Sequence, residues 1–271
     1  MNTIINSIIQ YSFLSRALAC GLMISICASL LGVILVLKRY SMIGDGLSHI
    51  SFGALAFASV MGFAPLKVAI PVVSVASILL LRLGGKKIKG DSLIAIISSS
   101  ALAIGIIMIS YSGSGADMNS YLVGSLYGVN KEDTIIATVL SVFVIILFVF
   151  LYNRIFAVTF DEDFARATGL RTGIYNTLIA ILTASTVVIG MRLMGALLIS
   201  ALIVFPALSS MRIFKSFLAV TISSVVISLV SFVTGFCLTL VLSGIPTGAC
   251  ITLVNLAVFI IFSIIGISKR V

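Results

Sequence analysis

The chain predicts an all-α polytopic membrane protein of eight to nine transmembrane helices, and three observations carry that prediction. It is 61% hydrophobic and 9% charged, whereas a water-soluble domain of 271 residues must cover itself with charge. Seven stretches lack Asp, Glu, Lys, Arg and His altogether: residues 17–37, 50–66, 92–116, 134–153, 172–191, 193–211 and the 53-residue run 216–268. About 20 apolar residues cross a bilayer core of roughly 30 Å as a helix. The lysines and arginines cluster in short loops between these stretches, where they set orientation in a membrane.

The spans follow in order. The first, 12–37, is uncharged from Ala17 onward and stops at Lys38-Arg39. The first ten residues hold no Lys or Arg, so no charged n-region of a cleavable signal peptide is expected and this span should stay in the mature protein. The second, 47–63, opens on the charged turn Gly44-Asp45-Gly46-Leu47-Ser48-His49 and closes at Gly62 to Pro65. The third, 66–82, is short, holds Pro71 and runs into Gly84-Gly85. The fourth, 92–112, ends at Gly113 to Gly115, and the fifth covers 133–153. Spans six and seven, 173–191 and 194–211, are separated only by Arg192-Leu193-Met194-Gly195, so an eight-span count stands beside nine. The eighth and ninth, 217–242 and 248–267, flank Gly244-Ile245-Pro246-Thr247-Gly248. No internal repeat, low-complexity tract or linker interrupts the pattern, which implies one membrane domain over 1–271.

Threading nine spans alternates the loops and tests the charges. One side receives Lys38, Arg39, Arg82, Lys86, Lys87, Lys89, Arg154, Arg166, Arg171, Arg212, Lys215, Lys269 and Arg270. The other receives Arg16, Lys67, Lys131 and Arg192. The richer side is expected to be cytoplasmic, with the N-terminus outside and the C-terminus inside. The net charge of +9 is therefore topological, and no nucleic-acid partner is expected. Cys20, Cys27, Cys237 and Cys250 lie singly in apolar segments and read as small buried hydrophobes.

Two segments carry candidate chemistry. Asp45 and His49, the chain's one histidine, stand four apart and so share a helix face at the mouth of span two. One reading makes Asp45 a helix cap and His49 an interfacial residue. The other makes them a transient contact for a divalent metal, for which an ionised carboxylate and a neutral imidazole are suitable donors. Two ligands hold an ion loosely, which suits transit. The second segment, Phe160 to Arg171, holds three of the eight acidic residues. Its acids lead and Arg166 follows, matching a helix dipole, and Gly169 can end the helix in a left-handed turn. Phe160, Phe164 and Ala167 fall at i, i+4 and i+7, which predicts one apolar face. That helix either rests on its own bundle or docks a soluble partner. No G-x-x-x-x-G-K-[ST] motif is present, so any ATP must be bound by another chain.

In order and spacing, four motifs resemble the permease subunit of the zinc/manganese/iron family of ABC importers. They are Leu37 to His49 with Gly53, Asn119 to Leu126 (similar to the family's "syLfG" stretch, with Val123 for Phe), Phe160 to Leu170, and Gly195 to Ala207. The resemblance implies a type II ABC importer-like permease and no enzyme: a homodimeric pore in the lipid of the cytoplasmic membrane. It implies metal delivery by an extracytoplasmic metal-binding protein and drive from two copies of a separate ATPase, with no cofactor in this chain. Zinc is favoured by overall resemblance, then manganese or iron. Asp45 and His49 match the family's metal-path residues. Phe160, Asp161, Glu162, Phe164, Arg166 and Gly169 fall in the stretch that matches its ATPase-coupling helix. The alternatives are a stand-alone secondary metal transporter or channel, and an intramembrane enzyme. Apart from Asp45 and His49 the spans hold almost no charge from which to build either.

Overall fold

The computed structural model describes residues 12–83, 90–112, 124, 131–242 and 244–268. Lys86, Lys87, Lys89, Lys269 and Arg270, and all of the Asn119–Leu126 motif except Gly124, lie outside the described residues. The described chain is helical. Nine long helices are α1 (Ser12–Leu37), α2 (Ile43–Val60), α3 (Pro65–Leu83), α4 (Gly90–Ser112), α5 (Lys131–Phe150), α8 (Thr172–Met194), α9 (Ala196–Ile213), α10 (Phe217–Val241) and α11 (Thr247–Ser268). Two short ones, α6 (Tyr152–Phe160) and α7 (Glu162–Ala167), fill the connection between α5 and α8.

Eight of the nine are long and apolar enough to cross a membrane, and α2 is the other. The sequence raised its doubt at the seventh span instead, yet α9 is among the eight. Most of α2 is buried against protein, so its surface need not match lipid, and small and polar residues are admissible there. Between α8 and α9 the whole turn is Gly195, at φ 90°. The chain reverses on it: a Cβ built on Gly190 would lie 2.6 Å from the side chain of Ile199, whereas nine residues along a continuous helix span about 13 Å. Residues 172–213 therefore form a two-helix hairpin with a one-residue turn, and both of its arms are among the eight helices apolar enough to span. Gly124 packs directly on this corner, facing the Met194 carbonyl at φ 83°.

Helix α1 runs through the centre. Gly32 abuts the Ile203 carbonyl of α9, where any side chain would collide with backbone. Gly53 of α2 does the same against the Ala101 carbonyl of α4. Close backbone approach of this kind drives packing where lipid is as apolar as the protein. Hydroxyls add to it: Ser228 of α10 donates to the Ser25 carbonyl of α1 at 3.0 Å. Outward faces of α4, α5 and α11 carry large apolar residues such as Ile107, Val149 and Ile264. Cys20, Cys27 and Cys250 are buried and free, and Cys237 is half-buried.

Contacts define two ends. Lys38, Arg82 and Arg154 all meet the first turns of α8. Arg212 packs on Gly266 near the close of α11. This is the basic end. Arg192 and Asp133 meet at the opposite end. Helix α1 ends beside Lys38 at the basic end, and α11 closes there beside Arg212.

Candidate functional site

Helix α2 begins at Ile43, and Met42 is its N-cap without a side-chain bond. Asp45 lies inside the first turn, and no backbone N–H is donated to its carboxylate. The capping alternative is thus overturned, because the chain reaches helical geometry two residues before the acid. Its charge still suits a helix N-terminus. Asp45 Oδ2 and His49 Nε2 stand 3.6 Å apart. The acid side chain is 52% exposed and the imidazole 27%. Nδ1 of His49 is buried and has no hydrogen-bond partner among the described residues. Beside the pair, the Ser48 hydroxyl donates to the Asp45 carbonyl at 2.7 Å and lies 3.4 Å from the Ser200 hydroxyl of α9.

The separation suits two donors on one ion. Ligand atoms bonded at about 2.1 Å to a tetrahedral metal lie roughly 3.4 Å apart. Carboxylate oxygen and imidazole nitrogen serve zinc, manganese and iron alike. Among the described residues no group of three or more His, Cys, Asp or Glu could hold a metal.

The second segment is a short capped helix. Asp161 is the N-cap of α7, its Oδ1 accepting from the Phe164 N–H at 2.8 Å. At the other end Gly169 has φ 88°, Leu170 N–H donates to the Ala165 carbonyl and Gly169 N–H to that of Arg166, the paired bonds of a left-handed helix terminus. Arg166 reaches Glu162 at 3.1 Å and Asp163 at 4.0 Å. The continuous apolar face expected over Phe160, Phe164 and Ala167 does not form. Asp161 is extended (φ −146°, ψ 96°) and breaks the helix, so Phe160 belongs to α6. Its ring packs on Phe156 and edge-on to Phe217, with centroids 4.8 and 5.9 Å away. Ala165 is the residue α7 buries, and Ala167 is exposed. Phe164 projects 64% exposed.

A third feature joins the two. Lys38, just past α1, donates to Oδ1 of Asn176 in α8. Nδ2 of the same amide donates to Glu162 Oε2 at 3.0 Å. Burial pulls the Lys38 pKa down and the Glu162 charge partly restores it. Burial raises the Tyr40 phenol, and Glu162 adds to that rise. Sequence reasoning missed Lys38 and Asn176 as site residues. The available signal was the polar run Tyr175-Asn176-Thr177 opening an otherwise apolar span.

A probable iron transport system membrane protein of Haemophilus influenzae is 30% identical over 259 residues, covering 93% of both chains. The manganese import system permease protein ScaB of Streptococcus parasanguinis is 28% identical, over 98% of this chain and 95% of its own. Among solved structures, PsaBC from Streptococcus pneumoniae in complex with Fab superposes with a TM-score of 0.86 at 26% identity, over 96% and 94% of the two chains. Residues 10–266 match the ABC 3 transport family, so this multi-pass membrane chain belongs to that family.

Proposed function

We propose that the chain is the permease subunit of an ATP-driven importer of divalent transition metal, acting as one membrane domain. Metal from an extracytoplasmic binding protein passes between two copies of this chain. Two copies of a separate ATPase dock at the basic end. The observation that carries the reading is the half-exposed Asp45–His49 pair, which caps no helix, in a chain of a transport family. The relatives above are named for iron and manganese. That moves the preferred cargo from zinc toward these two, and the donor pair serves all three. Thirteen of the 17 Lys and Arg threading to one side supports a cytoplasmic basic end, an external N-terminus and a cytoplasmic C-terminus. Phe164, left exposed on a helix capped at both ends, supports α7 as the docking element.

The test is uptake of radiolabelled Mn(II) into proteoliposomes holding this chain, with the ATPase present or absent. The reading predicts uptake that requires ATPase, ATP and binding protein together, with excess Fe(II) competing more strongly than excess Zn(II). Uptake without the ATPase contradicts it and favours the stand-alone transporter.

A further inference from the structure

Asn176 bridges a cation and an anion that belong to the two candidate segments. Its carbonyl oxygen accepts from Lys38 and its amide donates to Glu162, while the other oxygen of Glu162 accepts from Arg166 within α7. Lys38 is tied closely to α2. Arg39 N–H donates to the Val36 carbonyl and Tyr40 N–H to that of Leu35, closing α1 with Arg39 in the left-handed region at φ 63°. The Tyr40 carbonyl then accepts from Ile43 N–H, the first residue of α2. Six residues, tied by these bonds and by the Gly46 N–H to the Met42 carbonyl, separate Lys38 from Asp45.

The base of α2 is also closely fitted. Gly44 lies against Ile203 of α9 and Gly46 against Ile94 of α4. With no side chain at either glycine to absorb a shift, a push on the turn passes along α2 to Asp45 and His49. Room for such a shift exists at the network itself: a cavity of about 280 Å³ is lined by Lys38, Tyr40, Glu162 and Asn176. Neighbouring residues of α8 are held too, Tyr175 by Arg154 and Thr177 by Arg82, but those bonds are exposed to solvent. Half-buried bonds to charged groups are the stronger kind.

We propose that Lys38, Asn176 and Glu162 form a positioning relay that transmits displacement of α7 to the first turn of α2. The Asp45–His49 pair then shifts in step with the ATPase. The relay rests on the function proposed above. None of its three residues need touch the metal.

The test is made on the permease–ATPase complex in proteoliposomes with Mn(II)-loaded binding protein. Asn176→Leu removes both bonds while keeping the number and branching of the side chain's heavy atoms. Asn176→Asp keeps the acceptor for Lys38 but sets a like charge against Glu162. Both should co-purify with the ATPase as wild type does, with basal ATP hydrolysis within twofold. Binding-protein stimulation of hydrolysis should vanish and radiolabelled Mn(II) uptake should fall at least tenfold. Asn176→Gln retains donor and acceptor, and the adjoining cavity accepts its extra methylene, so at least half of the uptake should return. Wild-type stimulation and uptake in Asn176→Leu overturns the relay. So does a parallel loss of co-purification and basal hydrolysis, which marks a merely structural residue. Mn(II) uptake by wild type without ATPase overturns the proposed function and the relay with it.

Discussion

Two acid–base pairs within the bundle differ in what they join. Arg192 of α8 and Asp133 of α5 meet at 3.2 Å, with the carboxylate 10% exposed. This pair ties two helices together beside the Gly195 reversal, and its guanidinium is permanently charged and carries only donors. Asp45 and His49 stand 3.6 Å apart on one turn of one helix, and the acid is 52% exposed. They hold no two elements together. What they offer instead is a half-exposed carboxylate and an imidazole whose buried Nδ1 has no hydrogen-bond partner among the described residues. The same kind of side chain thus ties two helices in one place and is left free to act as the proposed donor set in the other, with connectivity and exposure making the difference.

The largest effect expected from this contrast is on stability. Asp133→Ala leaves a guanidinium without its partner, and breaking a buried pair from one side costs about 3 kcal/mol. Thermal unfolding in detergent should register that loss, whereas Asp45→Ala should stay within about 0.5 kcal/mol of wild type. Equal destabilisation by the two would remove the distinction between strut and donor set.

A second expectation sharpens the contrast at the basic end. Phe164 is mostly exposed and is not among the core residues. Phe164→Ala should leave unfolding unchanged and weaken ATPase association by about 2 kcal/mol, the scale of an aromatic anchor at an interface. Titration of the ATPase against the purified permease measures this. Unaltered affinity returns α7 to a helix resting on its own bundle.

A smaller loss is expected at Gly169. Nothing lies within 4 Å of a Cβ built there, so Gly169→Ala meets no steric clash. The cost is the left-handed φ of 88° alone, about 1 kcal/mol. It should appear as a modest drop in ATPase affinity, without loss of expression.

Much of the scaffold was legible because its determinants are local. Charge-free runs located the long helices, and Asp161 with Gly169 announced the two ends of α7 through capping chemistry that spans a few residues. The departures arise where distant contacts override local pattern. The i, i+4, i+7 reading of Phe160, Phe164 and Ala167 assumed one helix, but Asp161 breaks it to cap α7, and Phe160 turns to the ring of Phe217 57 positions along the chain. The near-absence of a loop pointed doubt at α9 when α2 is the one long helix not apolar enough to count as a span, because burial by neighbours is invisible in composition. The Lys38–Asn176–Glu162 network joins residues 138 and 14 positions apart, and no periodicity encodes it. The Asp45–His49 spacing was readable, but whether Asp45 caps α2 depended on where the turn after α1 delivers the chain.

The central claim is that Asp45 and His49 serve the passing metal and not the helix. Asp45→Asn tests it most directly, since the amide matches the carboxylate in size and no cap is at stake. Uptake of radiolabelled Mn(II) by the ATPase-coupled permease, at matched expression, should fall at least tenfold in Asp45→Asn and in His49→Ala, because an uncharged amide is a poor partner for a divalent ion and alanine none at all. Co-purification with the ATPase should be preserved in both. Normal Mn(II) uptake by Asp45→Asn at matched expression would contradict the account.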